Sequence, residues 1–131
     1  MFLTKECDYA IRVVRCLTNM EVKSVRTICE NESMPLPFAY KILKKLEKAR
    51  IVRSYRGAAG GYQLLKKPEL ITIHEIVNAV DSNLFVNECL IKGYECKNNQ
   101  EGRLCKVHVE LSRVQDILSD ALREKNMLEL V

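Results

Sequence analysis

Apolar residues recur along this chain with two different periods, and the changes of period mark its elements. Ala10, Val13, Val14 and Leu17 follow the i, i+3, i+4, i+7 spacing of one buried helical face, and Thr4 stands where an N-cap belongs. That predicts a first helix from Thr4 to about Thr18. Ser24 caps a second, brief helix through Val25, Ile28 and Cys29, which the polar, proline-ended stretch Asn31 to Pro35 must stop. A third helix opens with Pro37 in its first turn, where a missing N–H costs nothing. Its apolar face is Phe38 or Ala39, then Ile42, Leu43 and Leu46.

The period then shortens to that of strands. Ile51 to Tyr55 and Tyr62 to Leu65 are β-prone, and Arg56-Gly57-Ala58-Ala59-Gly60-Gly61 separates them. A glycine-tipped hairpin with a protruding loop is expected there. Thr72-Ile73-His74-Glu75 has capping-box spacing and opens a fourth helix with Ile76, Val77, Ala79 and Val80 inward. Periodicity fades from about Ser82 to Lys106, a stretch holding Cys89, Cys96 and Cys105 that reads as a functional loop. It returns at Val107, Leu111, Val114, Leu118 and Ala121, with Ile117 and Leu122 broadening the stripe and Leu128 resuming it. Such a seam suits a partner helix from a second subunit.

Two short helices joined by a tight break, the second basic and followed at once by a hairpin, describe a winged helix-turn-helix. The expected fold is therefore mainly α with a small β-hairpin, ending in a long C-terminal dimerisation helix. Residues 1–80 form the DNA-binding domain, 81–106 the cysteine-bearing sensor loop, and 107–131 the dimerisation helix and tail.

Charge sharpens this picture. Up to Leu70 there are 14 Lys/Arg against 7 Asp/Glu, and beyond it 7 against 10, so only the front half favours a polyanion. Lys41, Lys44, Lys45 and Lys48 are spaced by threes and fours and form one basic stripe opposite the core of the third helix. These lysines are expected to contact phosphates. Tyr40 and Lys41, near the helix start, are the candidates for base readout, and Arg56 with Gly57 could enter a minor groove. No Lys-Ser or Lys-Thr follows the glycines, so a nucleotide cradle is poorly supported. With two histidines, no tryptophan and no placeable pair of catalytic carboxylates, an enzyme is not expected. No apolar run approaches a membrane span, and Met1 to Asp8 lacks a signal-peptide core, so a cytoplasmic location is expected.

Six cysteines in a reducing compartment point to free thiols or metal ligands rather than disulfides. Cys16 and Cys29 suit small core hydrophobes, while Cys7 adjoins Asp8. Cys89-x6-Cys96-x8-Cys105, with His108 three residues on, carries the donors of a closed zinc site and equally the thiolates an iron–sulfur cluster requires. A loop whose cysteines are unliganded, with control by a partner protein or small effector, is the third possibility.

Leu3-Thr4-Lys5 with Asp8-Tyr9-Ala10, the segment Tyr40 to Leu46, and Arg56 to Tyr62 together resemble the IscR/NsrR-type regulators, also called the Rrf2 family. The similarity runs over nearly the whole chain. It implies a winged-helix homodimer joined through the last long helix, binding a roughly palindromic DNA operator, and an iron–sulfur cluster on the Cys89, Cys96 and Cys105 loop. The fourth ligand implied is His108 for the IscR branch, with a two-iron cluster, or Asp8 from the opposite subunit for the NsrR branch, with a four-iron cluster. This sequence departs from the family pattern in three places. Ala58-Ala59 replaces a Pro-Gly in the wing, Arg50 stands where glycine is frequent, and Tyr40 replaces a glutamate of one branch. Its cysteine gaps are also wider than usual.

Overall fold

The computed structural model describes residues 3–131, so Met1 and Phe2 of the Met1–Asp8 segment lie outside the described residues. Helix α1 (Lys5–Cys16) begins as expected, with the Thr4 side chain accepting from the Cys7 amide. Ala10, Val13, Val14 and Leu17 all lie in the core. Helix α2 (Val25–Glu32) is capped by Ser24, whose hydroxyl accepts from Thr27 N. It runs two residues, Asn31 and Glu32, into the stretch expected to be a break, and ends where Ser33 takes the left-handed conformation. Helix α3 (Leu36–Lys48) follows within three residues, with Pro37 in its first turn. Ala39, rather than Phe38, supplies the first inward position. Phe38 is exposed and its ring sits 5.7 Å from that of Tyr9.

Strands β1 (Val52–Tyr55) and β2 (Gly61–Leu64) pair antiparallel, with Tyr55 opposite Gly61. Gly61 thus belongs to the ladder, and the tip is Arg56 to Gly60, one residue shorter than expected. A third extended segment joins the hairpin, since Lys23 and Tyr62 exchange backbone hydrogen bonds of 2.9 and 2.8 Å. That pairing needs glycine at 61, where a Cβ would overlap the Lys23 carbonyl.

Helix α4 (Ile73–Val80) is capped by Thr72. The second half of the expected capping box does not form, because the Glu75 carboxylate turns to the Lys66 ammonium instead. The chain from Asp81 to Cys105 is a string of turns rather than an unstructured loop. It includes a short 3-10 turn at Glu88–Leu90 and local bridges at Cys96–Asn99 and Gln100–Arg103.

Helix α5 (Lys106–Arg123) has no buried residue over its 18 positions. Leu111, Gln115, Leu118 and Leu122 lie half-buried against the domain, while Val107, Val114, Ile117 and Ala121 face outward. The expected continuation through Leu128 is not observed. The helix stops at Arg123, and the tail folds back so that Met127, not Leu128, enters the core, its amide donating to the Ile71 carbonyl at 2.8 Å. A methionine can fill an irregular gap, and the gain from burying it offsets ordering the tail.

Candidate nucleic-acid interface and cysteine loop

Helices α2 and α3 and the hairpin enclose a groove of about 400 Å³. Ser24, Val25 and Arg26 from the start of α2, Leu36 and Tyr40 from the first turns of α3, and Ser54, Tyr55, Gly57, Gly60, Gly61 and Tyr62 from the hairpin line it. Local bonds hold the parts in register. Glu47 of α3 accepts from the Ser54 amide at 3.2 Å and from its hydroxyl at 2.6 Å, so the wing is tied to the third helix. The Tyr55 hydroxyl donates to Gln63 Oε1 at 2.9 Å, and the Gln63 amide in turn bonds the Met20 carbonyl. Burial, with Glu47 and Tyr40 adding to it, pushes the Tyr62 phenol up, so it stays a neutral donor.

Of the residues singled out from sequence, Tyr40 and Gly57 meet in this groove. Arg56 is exposed on the wing tip beside Gly57, and Lys44 and Lys48 are exposed on α3. Neither lysine has an ion pair among the described residues. The other half of the basic stripe is turned aside. Lys41 and Lys45 both pair with Glu6 of α1, Lys45 at 2.6 Å, and Lys45 also donates to the Val80 carbonyl at 2.9 Å. The bonds from Lys41 and then Lys45 hold the Glu6 carboxyl below the usual carboxylate range. At 100° per residue the stripe spans enough arc for one edge to meet α1 and the other to face the wing side.

Several groove residues escaped the sequence reading. Leu36, Arg26 and Tyr55, the last with the Arg53 guanidinium 5.0 Å from its ring centre, carry no spacing signal of their own. Only the rule that the first helix of such a motif crosses the DNA backbone could have pointed to Arg26. A buried carboxylate was also missed. Glu32, only 8% exposed, pairs with Arg15 of α1, and the bond raises the arginine's already high proton affinity. It clamps α1 to α2 beneath the motif.

The cysteines fall into two groups. Cys7 is buried, and Cys16 and Cys29 pack partly buried against the core, where burial pushes the Cys29 thiol up. His74 is half-buried, and burial, then the charge of Arg123, lowers its pKa against the opposing pull of Asp120. Cys89, Cys96 and Cys105 are half-buried free thiols in the Asp81–Cys105 segment. Asn87 Oδ1 accepts from Cys89 N, and Asn99 links the other two, its amide donating to the Cys96 carbonyl at 3.0 Å and its Oδ1 accepting from Cys105 N at 3.3 Å. Gln115 of α5 anchors the segment by bonding Val86 N and the Leu84 carbonyl. Among the described residues, no three Cys, His, Asp or Glu side chains gather as a metal-holding group. One turn into α5, however, His108 Nδ1 is buried with no hydrogen-bond partner. Asp8 is instead engaged by Arg12 of its own helix at 3.0 Å.

A break between two helices, with a hairpin laid against the second, defines a winged helix-turn-helix, the architecture of DNA-binding transcription regulators. A family model described as Rrf2, iron-dependent transcriptional regulator, matches residues 3–131. This chain belongs to the Rrf2 family, a family of DNA-binding transcriptional regulators rather than enzymes. It is 32% identical to the HTH-type transcriptional regulator IscR of Vibrio campbellii, covering 100% of this chain and 77% of that protein. It is 34% identical to a putative HTH-type regulator of Synechocystis, over 64% of this chain and only 59% of that relative. Among solved structures, CymR of B. subtilis superposes with a TM-score of 0.73 at 22% identity, covering 97% of this chain and 93% of that one. T. potens IscR superposes at 0.74 and 18% identity, covering 97% and 83%. At those identities the likeness is one of fold. Among the described residues no helix is long and apolar enough to cross a membrane.

Proposed function

We propose that this chain acts as a homodimeric repressor whose grip on a duplex operator is tuned by an iron–sulfur cluster on the Cys89, Cys96 and Cys105 loop. The observation that carries the DNA half is the groove that joins Tyr40 of α3 to Gly57 of the wing, with Arg26, Lys44 and Arg56 exposed around it. Lys44, Lys48 and Arg26 supply phosphate contacts, Tyr40 faces base edges, and Arg56 follows the wing into the minor groove. Lys41 and Lys45 can join them by leaving Glu6.

The dimer is supported by the outward face of α5. Val107, Val114 and Ile117 lie exposed on a helix that fully buries no residue within its own chain, which suits a second copy of the same helix. Two such chains set their α3 helices about one DNA turn apart.

The cluster half rests on donor chemistry. Three free thiols on one segment and the unpartnered buried Nδ1 of His108 offer the four ligands; the Asp8 carboxylate of the second subunit is the other fourth ligand, and zinc the other metal. A bound cluster would supply sensitivity to iron supply, oxygen or nitric oxide. The chain's part is to bring its ligands together: the turns held by Asn87 and Asn99 must rearrange, and Gln115 transmits that ordering to α5, whose other face is the proposed dimer contact.

Anaerobic purification tests this. The expected protein is coloured, with iron and sulfide in equal amounts and little zinc, and its operator affinity changes when the cluster is removed. A colourless protein with one zinc per chain overturns the cluster reading but not the DNA reading. A His108→Ala variant that disturbs the spectrum assigns the fourth ligand, and an Asp8→Ala variant is its counterpart. For the DNA contacts, Lys44→Ala together with Lys48→Ala should flatten the salt dependence by about 0.9 for each phosphate left without its lysine.

A further inference from the structure

The exposed start of α3 has an unusual composition for a helix that reads DNA. Its sequence, Leu36 to Lys48, contains no Arg, Asn, Gln, Ser or Thr. Those side chains make most hydrogen bonds to base edges, with Arg on guanine and Asn or Gln on adenine as bidentate readers; the other guanine reader, Lys, is present on α3 only as Lys41, Lys44, Lys45 and Lys48, none of which lines the groove. What α3 offers to the groove instead is Leu36, 45% exposed, and Tyr40, 53% exposed, one turn apart on the same face. Val25 of α2 and Tyr55 of the wing extend this surface on either side. Basic groups stand around it: Arg26 on α2, Arg53 and Arg56 on the wing, Lys44 on α3.

An apolar edge framed by cations fits a duplex better than an apolar partner protein, because the frame matches the two phosphate strands that border a major groove. Within that groove each base pair presents donors and acceptors, and only thymine adds an apolar group, the C5-methyl. We infer that Leu36, flanked by the Tyr40 ring, is a specificity-determining residue that selects thymine by packing on its methyl group. This inference rests on the proposal that the groove of α2, α3 and the wing faces DNA. It adds which base feature the groove takes and which side chain takes it. Leu36 contributes no hydrogen bond. Its discrimination comes from the water-exposed area that the leucine and the methyl group remove from each other.

The test uses the full chain. Duplexes retained from a random pool define a preferred half-site, and each thymine in it is then replaced singly by deoxyuridine, which keeps pairing and removes only the methyl. Affinities are read by fluorescence anisotropy. One or two positions per half-site should lose affinity about fourfold, the factor expected from one methyl group. Leu36→Ala should bind the thymine and deoxyuridine duplexes equally, while Tyr40→Phe keeps most of the discrimination because it keeps the ring. If every deoxyuridine duplex binds wild type within twofold of its parent, the inference fails although DNA binding stands. If Leu36→Ala still discriminates as wild type does, the methyl is read by another side chain and the inference also fails. A wild-type protein that retains no duplex even in dilute buffer overturns the DNA-binding groove itself. The deoxyuridine series needs no variant, so a poorly folding mutant cannot blunt it.

Discussion

Glu6 sets how much of the basic charge on α3 is available. Its carboxylate holds both Lys41 and Lys45, yet only Lys41 has no other partner among the described residues, since Lys45 keeps the Val80 carbonyl. Ion pairs at a partly exposed carboxylate such as this one are worth little to stability. Their consequence is for binding instead, because a lysine engaged by a neighbouring carboxylate releases fewer counterions from DNA. Replacing Glu6 by Gln should therefore leave thermal stability within about 0.5 kcal/mol. It should also steepen the plot of log affinity against log salt by nearer one phosphate contact than two, about 0.9. Titrating operator binding at several salt concentrations reads this directly. A slope identical to wild type would mean that Lys41 never reaches a phosphate.

At the scale of elements, the ends of helices explain what could be read in advance. Thr4, Ser24 and Thr72 each cap the helix they precede, because a cap is a bond between neighbours in sequence. The end of α3 is as local but less comfortable. Arg50 follows the C-cap with φ of 59°, the left-handed conformation that glycine adopts without penalty. The departure from the family's frequent glycine thus falls where a side chain is strained by about 1–2 kcal/mol. Arg50→Gly should relieve that strain, less what glycine loses in the freer unfolded chain. The net gain should be about 0.5–1 kcal/mol, a rise of roughly 2–4 °C in thermal midpoint. A fall in midpoint would show that the Arg50 side chain does more for the fold than its backbone costs. Features that join distant residues were not legible. The Arg15–Glu32 clamp, the Glu6 pairs and the insertion of Met127 beside Ile71 depend on contacts across 17 or more positions, which no period or cap encodes. For the same reason the lysine stripe could be found by spacing, but not its division between α1 and the wing. Residue type alone singled out the cysteine segment as a candidate site, whereas its turns arise from Asn87 and Asn99, which carry no periodic signal.

The whole molecule is a small core with one large face left over. The front domain closes its own core with α1 to α4 and seals it with Met127, so α5 is not needed there for its outer side. Splitting the α5 stripe between two environments follows from its width. Leu111, Leu118 and Leu122 lean on the domain, and Val107, Val114 and Ile117 point away from it. Covering that outer side with a second α5, as proposed, would add apolar burial to both chains, and helices with apolar residues at this spacing can interlock along such a seam. Ile117→Glu is the discriminating change, because the side chain is exposed in the single chain and a carboxylate there costs the monomer little. Opposed across a two-fold axis, two such carboxylates would meet a dry seam and each other. Analytical ultracentrifugation should then find one chain where wild type sediments as two, with the circular dichroism spectrum unchanged. Operator binding should weaken on the order of 10²–10⁴-fold, the avidity that disappears when two linked α3 helices become independent. A wild type that is already monomeric would remove the dimer from the proposal. A variant that stays dimeric would move the contact to another face of the chain.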